Sequence, residues 1–194
     1  AIDRRALRAG WTFTTARTYG FSISSEDGAS VSLSSEWSPE ALGSTGSSRA
    51  IIADVRAFVP AVPKHGVLAL RGAGAAAWGD EEAVRQFGAG GSGPPFAGTS
   101  FSRDAIGLIR GFDTGDASGA YAVAFNADYR VPLAWIERGA GTWPLLLRSV
   151  HGALFADAGA AWTTRYTRES RRASAGFELS ADVVVGYSVP LTLT

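Results

Sequence analysis

One arginine and a few acids are the residues whose types and spacing could do chemistry. Arg110 stands in Gly107-Leu108-Ile109-Arg110-Gly111-Phe112-Asp113, deep inside a long Gly-rich segment, roughly residues 79 to 119. Downstream, Asp128 has Asn126 and Arg130 beside it, and Asp157 has Phe155 and Gly159. A guanidinium presents its donors as a planar fork that fits both oxygens of a carboxylate. That chemistry is a charge-assisted contact holding a loop, and it breaks no bonds. His65 lies in a tight turn and reads as solvated. His151 has Arg148 and Ser149 nearby, but a Ser–His hydrolase needs a third group and an oxyanion site, and nothing in the sequence marks them. The chain has no cysteine, which excludes disulfides, thiolate metal sites and a Cys nucleophile. No carboxylate or His cluster has metal-ligand spacing. The run Gly88-Ala89-Gly90-Gly91-Ser92-Gly93-Pro94-Pro95 lacks a following Lys-Ser/Thr and a helix, so it is no phosphate loop. The reading is a protein without an active site or cofactor.

What must position Arg110 and its acids is a sheet. Helical periodicity is nearly absent and period-two alternation is nearly everywhere. Trp11, Phe13 and Thr15 alternate with small polar residues, as do Tyr19, Phe21 and Ile23. Glu26-Asp27-Gly28 reads as the turn of a tight hairpin leading to Val31, Leu33 and Trp37. Ser38 to Ser48 is a loop. Ile51, Val55 and Val59 then oppose Asp54 and Arg56, and residues 60–66 turn into Leu68, Leu70 and Trp78. After the long loop, Tyr121, Val123, Phe125, Tyr129 and Val131 share one parity. Asn126, Asp128 and Arg130 hold the other. Pro132-Leu133 is expected to start a connection through Trp143-Pro144. The next strand runs from about Leu147 to Trp162, with Phe155 and Asp157 opposite Leu154 and Ala156. A last strand alternates Phe177, Leu179, Val183 and Val185 against Glu178, Ser180 and Asp182.

This predicts roughly eight strands, most about 9–12 residues long. That length suits a tilted membrane-crossing strand better than a soluble one of about 5–6. Loops alternate between short turns and long polar segments, and Trp11, Trp37, Trp78 and Trp162 lie near strand ends, as in outer-membrane barrels. A soluble sandwich or barrel with one wet face is the alternative that alternation by itself leaves open. The balance favours a membrane barrel, because one face carries Phe, Val, Ile, Leu, Tyr and Trp while the other is mostly small or weakly polar. Formal net charge is zero, so nucleic acid is not an expected partner. Arg165, Arg168, Arg171 and Arg172 read as a solvated outer loop. The residues from Ala1 to Arg5 lack the apolar core of a signal peptide, and the chain stops in mid-alternation, which suits a segment of a longer protein.

The motifs resemble a family at this point. Ile109-Arg110-Gly111-Phe112 resembles the signature of an outer loop in the BamA-type outer-membrane assembly and translocation barrels, the bacterial surface-antigen family. Phe125-Asn126-Ala127-Asp128-Tyr129-Arg130-Val131-Pro132-Leu133 resembles the strand that follows that loop, with Asp128 where the family often has Glu. Phe155-Ala156-Asp157-Ala158-Gly159 resembles the Phe-x-Asp-x-Gly motif of the next strand. The order and spacing of all three agree, and the likeness extends from about Ile51 to Leu193.

The resemblance implies the C-terminal half of one sixteen-stranded, antiparallel transmembrane β-barrel domain, residues 1–194 supplying roughly eight long strands. Periplasmic domains and the final strands would lie outside it. It implies a bacterial outer-membrane location, contact with outer-membrane lipid, and insertion or translocation of a client polypeptide. The loop would fold inward, with Arg110, Gly111 and Phe112 locked on the lumen wall. Asp157 or Asp128 would be the main partner, Phe155 and Gly159 would support it, and Asn126 and Arg130 would also face the lumen. Gly159 leaves room for close approach of the loop. A passive channel, or the membrane anchor of an upstream enzyme or binding domain, are the alternatives.

Overall fold

The computed structural model describes Asp3 and residues 5–91, 105–139, 141–186 and 188–194. Ala1, Ile2 and Arg4, and residues 92–104 of the long loop with Ser92, Gly93, Pro94 and Pro95, lie outside the described residues. The strands in chain order are β1 (Leu7–Thr14), β2 (Gly28–Ser38), β3 (Ser48–Ala61), β4 (Gly66–Gly79), β5 (Phe87–Ala89), β6 (Ala105–Gly107), β7 (Ala117–Gly119), β8 (Tyr121–Gly139), β9 (Leu145–Trp162), β10 (Arg171–Val185) and β11 (Val189–Leu193). Eight of them form one antiparallel sheet in the order β1-β2-β3-β4-β8-β9-β10-β11. The chain is therefore all-β, as its alternation requires. Among the described residues β1 and β11 end the sheet and do not pair with each other.

β5, β6 and β7 belong to the long loop and make a separate three-stranded sheet. The loop thus has its own backbone pairing. It packs on one face of the main sheet, where β4 and β8 supply small residues: Ala75, Ala77 and Ala122 are buried there against Phe87, Ala89, Ile106 and Ile109 of the loop. A wall of alanines lets a second layer of backbone come close, and it puts the largest buried side chains on the loop. The other face is bare and apolar. Phe125 and Leu154 are each 61% exposed and Phe177 is 80% exposed.

Three local expectations are corrected. Residues 15–27 form an ordered excursion between β1 and β2, not a tight hairpin with a further strand. The Ser22 hydroxyl accepts from the Tyr19 amide at 2.8 Å and donates to Glu26 at 2.7 Å, and the Tyr19 hydroxyl donates to Asp27 at 2.7 Å. Such local side-chain bonds offer the backbone an alternative to the ladder. Secondly, β8 does not stop at Pro132. It continues to Gly139, with register shifts between Pro132 and Ala134 and between Trp135 and Arg138. A proline has no N–H for the ladder and is accommodated at such an irregularity. Thirdly, the central strands exceed the expected length: β3 and β4 have 14 residues each, β8 has 19 and β9 has 18.

Candidate functional site

Period two brings the site residues onto the loop-bearing face, and antiparallel register aligns them across strands. Arg71 of β4 pairs with Asn126 of β8, which pairs with Asp157 of β9. Two residues along each strand, Asp128 pairs with Phe155, which pairs with Gly176 of β10. Two further along, Arg130 opposes Ala153, which opposes Glu178. The three rows form one polar patch inside an otherwise small-residue wall.

Arg110 descends onto this patch. Its Nε and Nη2 donate to the two oxygens of Asp157 at 2.8 Å each, the forked geometry that a planar guanidinium favours. Nη2 also donates to Asp128 at 2.5 Å, and Nη1 donates to Glu178 at 3.1 Å. The Arg110 backbone N–H adds a bond to Asp157 at 3.0 Å. Burial opposes the charge on Arg110, but the hydrogen bonds to Asp157 and Asp128 outweigh it and hold the guanidinium pKa above its ordinary value. The cation also lies 3.7 Å above the Phe155 ring, on whose negative face it is attracted electrostatically.

The surroundings fix this geometry. A Cβ at Gly176 would come within 2.8 Å of the Phe155 ring, so glycine opposite lets the ring lie flat on the strand. At Gly159 a Cβ would meet Ile109 Cδ1 at 2.7 Å, which fits the close approach expected of that position. Gly111, with φ +86°, supplies the left-handed residue after Arg110, and Phe112 packs on the rim of the apolar core. Asn126 donates to the Leu108 carbonyl at 2.6 Å and to Asp157 at 2.8 Å. Its own oxygen accepts from Arg71 at 3.0 Å, and Arg71 donates to Asp54 and to the Ile106 carbonyl. Arg56 pairs with Asp54, and Arg130 with Asp128 at 2.7 Å. Arg56, Arg71, Arg110 and Arg130 therefore face Asp54, Asp128, Asp157 and Glu178, and their formal charges cancel.

Arg110, Asp157, Asp128, Asn126, Phe155, Gly159 and Arg130 are thus brought together, and both candidate acids hold the arginine, with Asp157 making the fork. A scan against models of known protein families matches none of them, and a search of curated proteins finds no match.

Several participants were not singled out from sequence. Glu178 and Gly176 look like ordinary members of an alternating strand, and only the register places them beside Phe155. Arg71 and Asp54 precede the loop, so no downstream motif points to them. A second tie joins loop and wall at Arg85, 3.5 Å from Glu36 of β2, which also pairs with Arg8 of β1 at 2.8 Å. Arg172 bonds Asp116 of the loop and lies near the Phe112 ring, so one arginine of the 163–172 segment is not merely solvated. His65 is not simply solvated either. Its Nδ1 is 2.7 Å from Glu26, and its ring meets Phe21 and Trp135. Asp182 supplies the third group missing beside Ser149 and His151, but Ser149 donates to Asp182 at 2.7 Å and His151 Nδ1 is 3.4 Å from the same acid. The hydroxyl is bonded to the acid, whereas a nucleophilic serine would be bonded to the imidazole.

Proposed function

We propose that this chain is part of the wall of an outer-membrane β-barrel that inserts or translocates polypeptide, its lumen occupied by the Arg110 loop. The bare apolar face would meet lipid and the loop-bearing face would be the lumen side. The observation that carries this reading is the seating of Arg110 on Asp157, Asp128 and Glu178. A folded loop, with its own sheet and an apolar underside, is held across three strands by one buried cation. A loop so held is a plug or gate on an inner wall, not a solvated connection. Its residues coincide with the Arg-Gly-Phe, Asn-x-Asp and Phe-x-Asp-x-Gly motifs that resemble the BamA-type barrels. In lipid every backbone polar group must be paired, so the sheet would complete a closed barrel with further strands.

The working part would be the loop and the seam of the barrel. No covalent chemistry is needed, and the partners would be membrane lipid and an unfolded client. Two measurements test this. Vesicles carrying the protein should accelerate the membrane folding of an urea-unfolded outer-membrane client, and Arg110→Ala should reduce that acceleration. A steady ion conductance, independent of client and unchanged by Arg110→Ala, would instead favour a passive channel and defeat the proposal.

A further inference from the structure

We infer that the outward face carries a lipid site at the rim on the long-loop side, centred on Arg49, whose occupant is the phosphorylated sugar headgroup of lipid A. This rests on the membrane reading above. Three residues define it. Trp37 of β2 pairs across strands with Arg49 of β3, and Arg49 pairs with Trp78 of β4. All three share the outward parity, so Arg49 stands between two tryptophans in one cross-strand row on the bare face. Trp37 and Trp78 remain 47% and 40% exposed, and the Arg49 guanidinium carbon is 6.0 Å from the Trp37 ring centre.

Within β2, β3 and β4 the position is chemically unusual. The other outward positions of β2, β3 and β4 carry no charge at all. The neighbouring arginines on the opposite parity, Arg8, Arg56 and Arg71, are each paired with an acid. Among the described residues Arg49 has no carboxylate partner. Tryptophans at that level mark the membrane–water interface, and a cation there faces headgroups. Arginine offers a fork that matches phosphate oxygens. Beside it a groove of about 450 Å³, walled by Leu7, Ile51 and both tryptophans, runs off the same row. An anionic group with an apolar chain attached satisfies both features, whereas free phosphate would leave the groove empty. The rim lies on the side of the 39–47, 80–120 and 163–170 connections, and long loops face outward in such barrels. The lipid available there is lipid A.

The test is lipid retention. The protein is reconstituted in phosphatidylcholine vesicles containing either lipid A or phosphatidylglycerol, extracted in mild detergent, and the lipid held per chain is counted by native mass spectrometry. The wild type should retain lipid A in preference to phosphatidylglycerol. Arg49→Gln should lower retention about tenfold, the scale of one charge-assisted contact. Arg49→Lys, which keeps the charge and loses the fork, should fall between them. Arg171→Gln is the control for general positive charge: this outward arginine of the same rim already donates its Nε to the Tyr166 hydroxyl and so lacks a free fork, and the variant should retain wild-type levels. Equal losses in the Arg49 and Arg171 variants would overturn the site, and equal retention of the two lipids would overturn lipid A as its occupant. Brominated phosphatidylcholine separates the two levels of inference. If it quenches the tryptophans while lipid A retention ignores Arg49, the site fails and the membrane reading stands. An absence of quenching sinks both.

Discussion

Replacing Arg110 by Ala would strip three carboxylates of a shared partner, and they would not suffer equally. Glu178 is 32% exposed and can be relieved by solvent. Asp128 keeps Arg130 at 2.7 Å. Asp157 has a fully buried side chain and would keep only neutral donors, Asn126 and the backbone N–H of residue 110. Breaking a buried pair by removing one partner costs about 3–5 kcal/mol, because the remaining charge is uncompensated. Most of that cost should fall on docking of the loop and little on the main sheet, whose ladder is untouched. Hydrogen exchange followed by mass spectrometry reads the two separately. Residues 105–119 should lose protection by about two to four orders of magnitude in Arg110→Ala, the fold-change equivalent of that energy, while β3 and β10 change little. Asp157→Asn should be nearly as damaging although it keeps the shape. Oδ2 accepts the Arg110 backbone N–H and Nε, and Oδ1 accepts Arg110 Nη2 and Asn126. Whichever way the amide is turned, its NH₂ faces two donors. The double variant should then lose far less than the sum of the singles. Loop protection in Arg110→Ala equal to that of wild type, or strict additivity, would refute the reasoning.

Three further outcomes are expected. Gly159→Ala would place a Cβ 2.7 Å from both Ile109 Cδ1 and the Val123 carbonyl, and such overpacking costs about 1–3 kcal/mol; exchange of residues 105–119 should quicken with every charge in place, and unchanged exchange would count against the close seat. Arg85→Ala should loosen the start of the loop by about 1.5–3 kcal/mol, the scale of a hydrogen bond to a charged group, with protease cutting near residues 80–89 as the readout and wild-type resistance as the adverse result. Burial works against the Glu26 charge, but bonds from Ser22 and His65 prevail and its pKa lies below the ordinary carboxylate value. A depressed folded pKa means that the anchoring of residues 15–27 is complete above the unfolded value and is lost as pH falls through the folded one. The protection factor of that segment, with the intrinsic pH dependence of amide exchange divided out, should fall on acidification and change less with pH in Glu26→Gln.

The central part of the site was legible because period two leaves little freedom. Once Tyr129 and Leu154 face one way, Asp128 and Asp157 must face the other, and a loop arginine between small residues has few places to go. Glu178, Gly176 and the Arg71–Asp54 pair escaped because their roles depend on register. A sliding alignment of strands looks equally good at several offsets until the ladder is drawn. Residues 15–27 were misread for a different reason. Alternation of Tyr19, Phe21 and Ile23 resembles a strand, but Ser22, Glu26 and Asp27 satisfy the backbone and hydroxyls locally, and tertiary contact with His65 holds the excursion. Pro132 misled by the reverse route, since its preference for strand ends was absorbed by an irregularity.

The partners of Arg110 all come later in the chain, at separations of 18, 47 and 68 residues. Contacts that distant form slowly, because closing each span costs entropy before any attraction is realised. The loop therefore has no complete seat until synthesis and pairing have passed Glu178, and an arginine in place certifies that three successive strands of the sheet are in order. Time-resolved exchange during refolding should show residues 105–119 protected after β8, β9 and β10, and earlier protection would break that sequence of events.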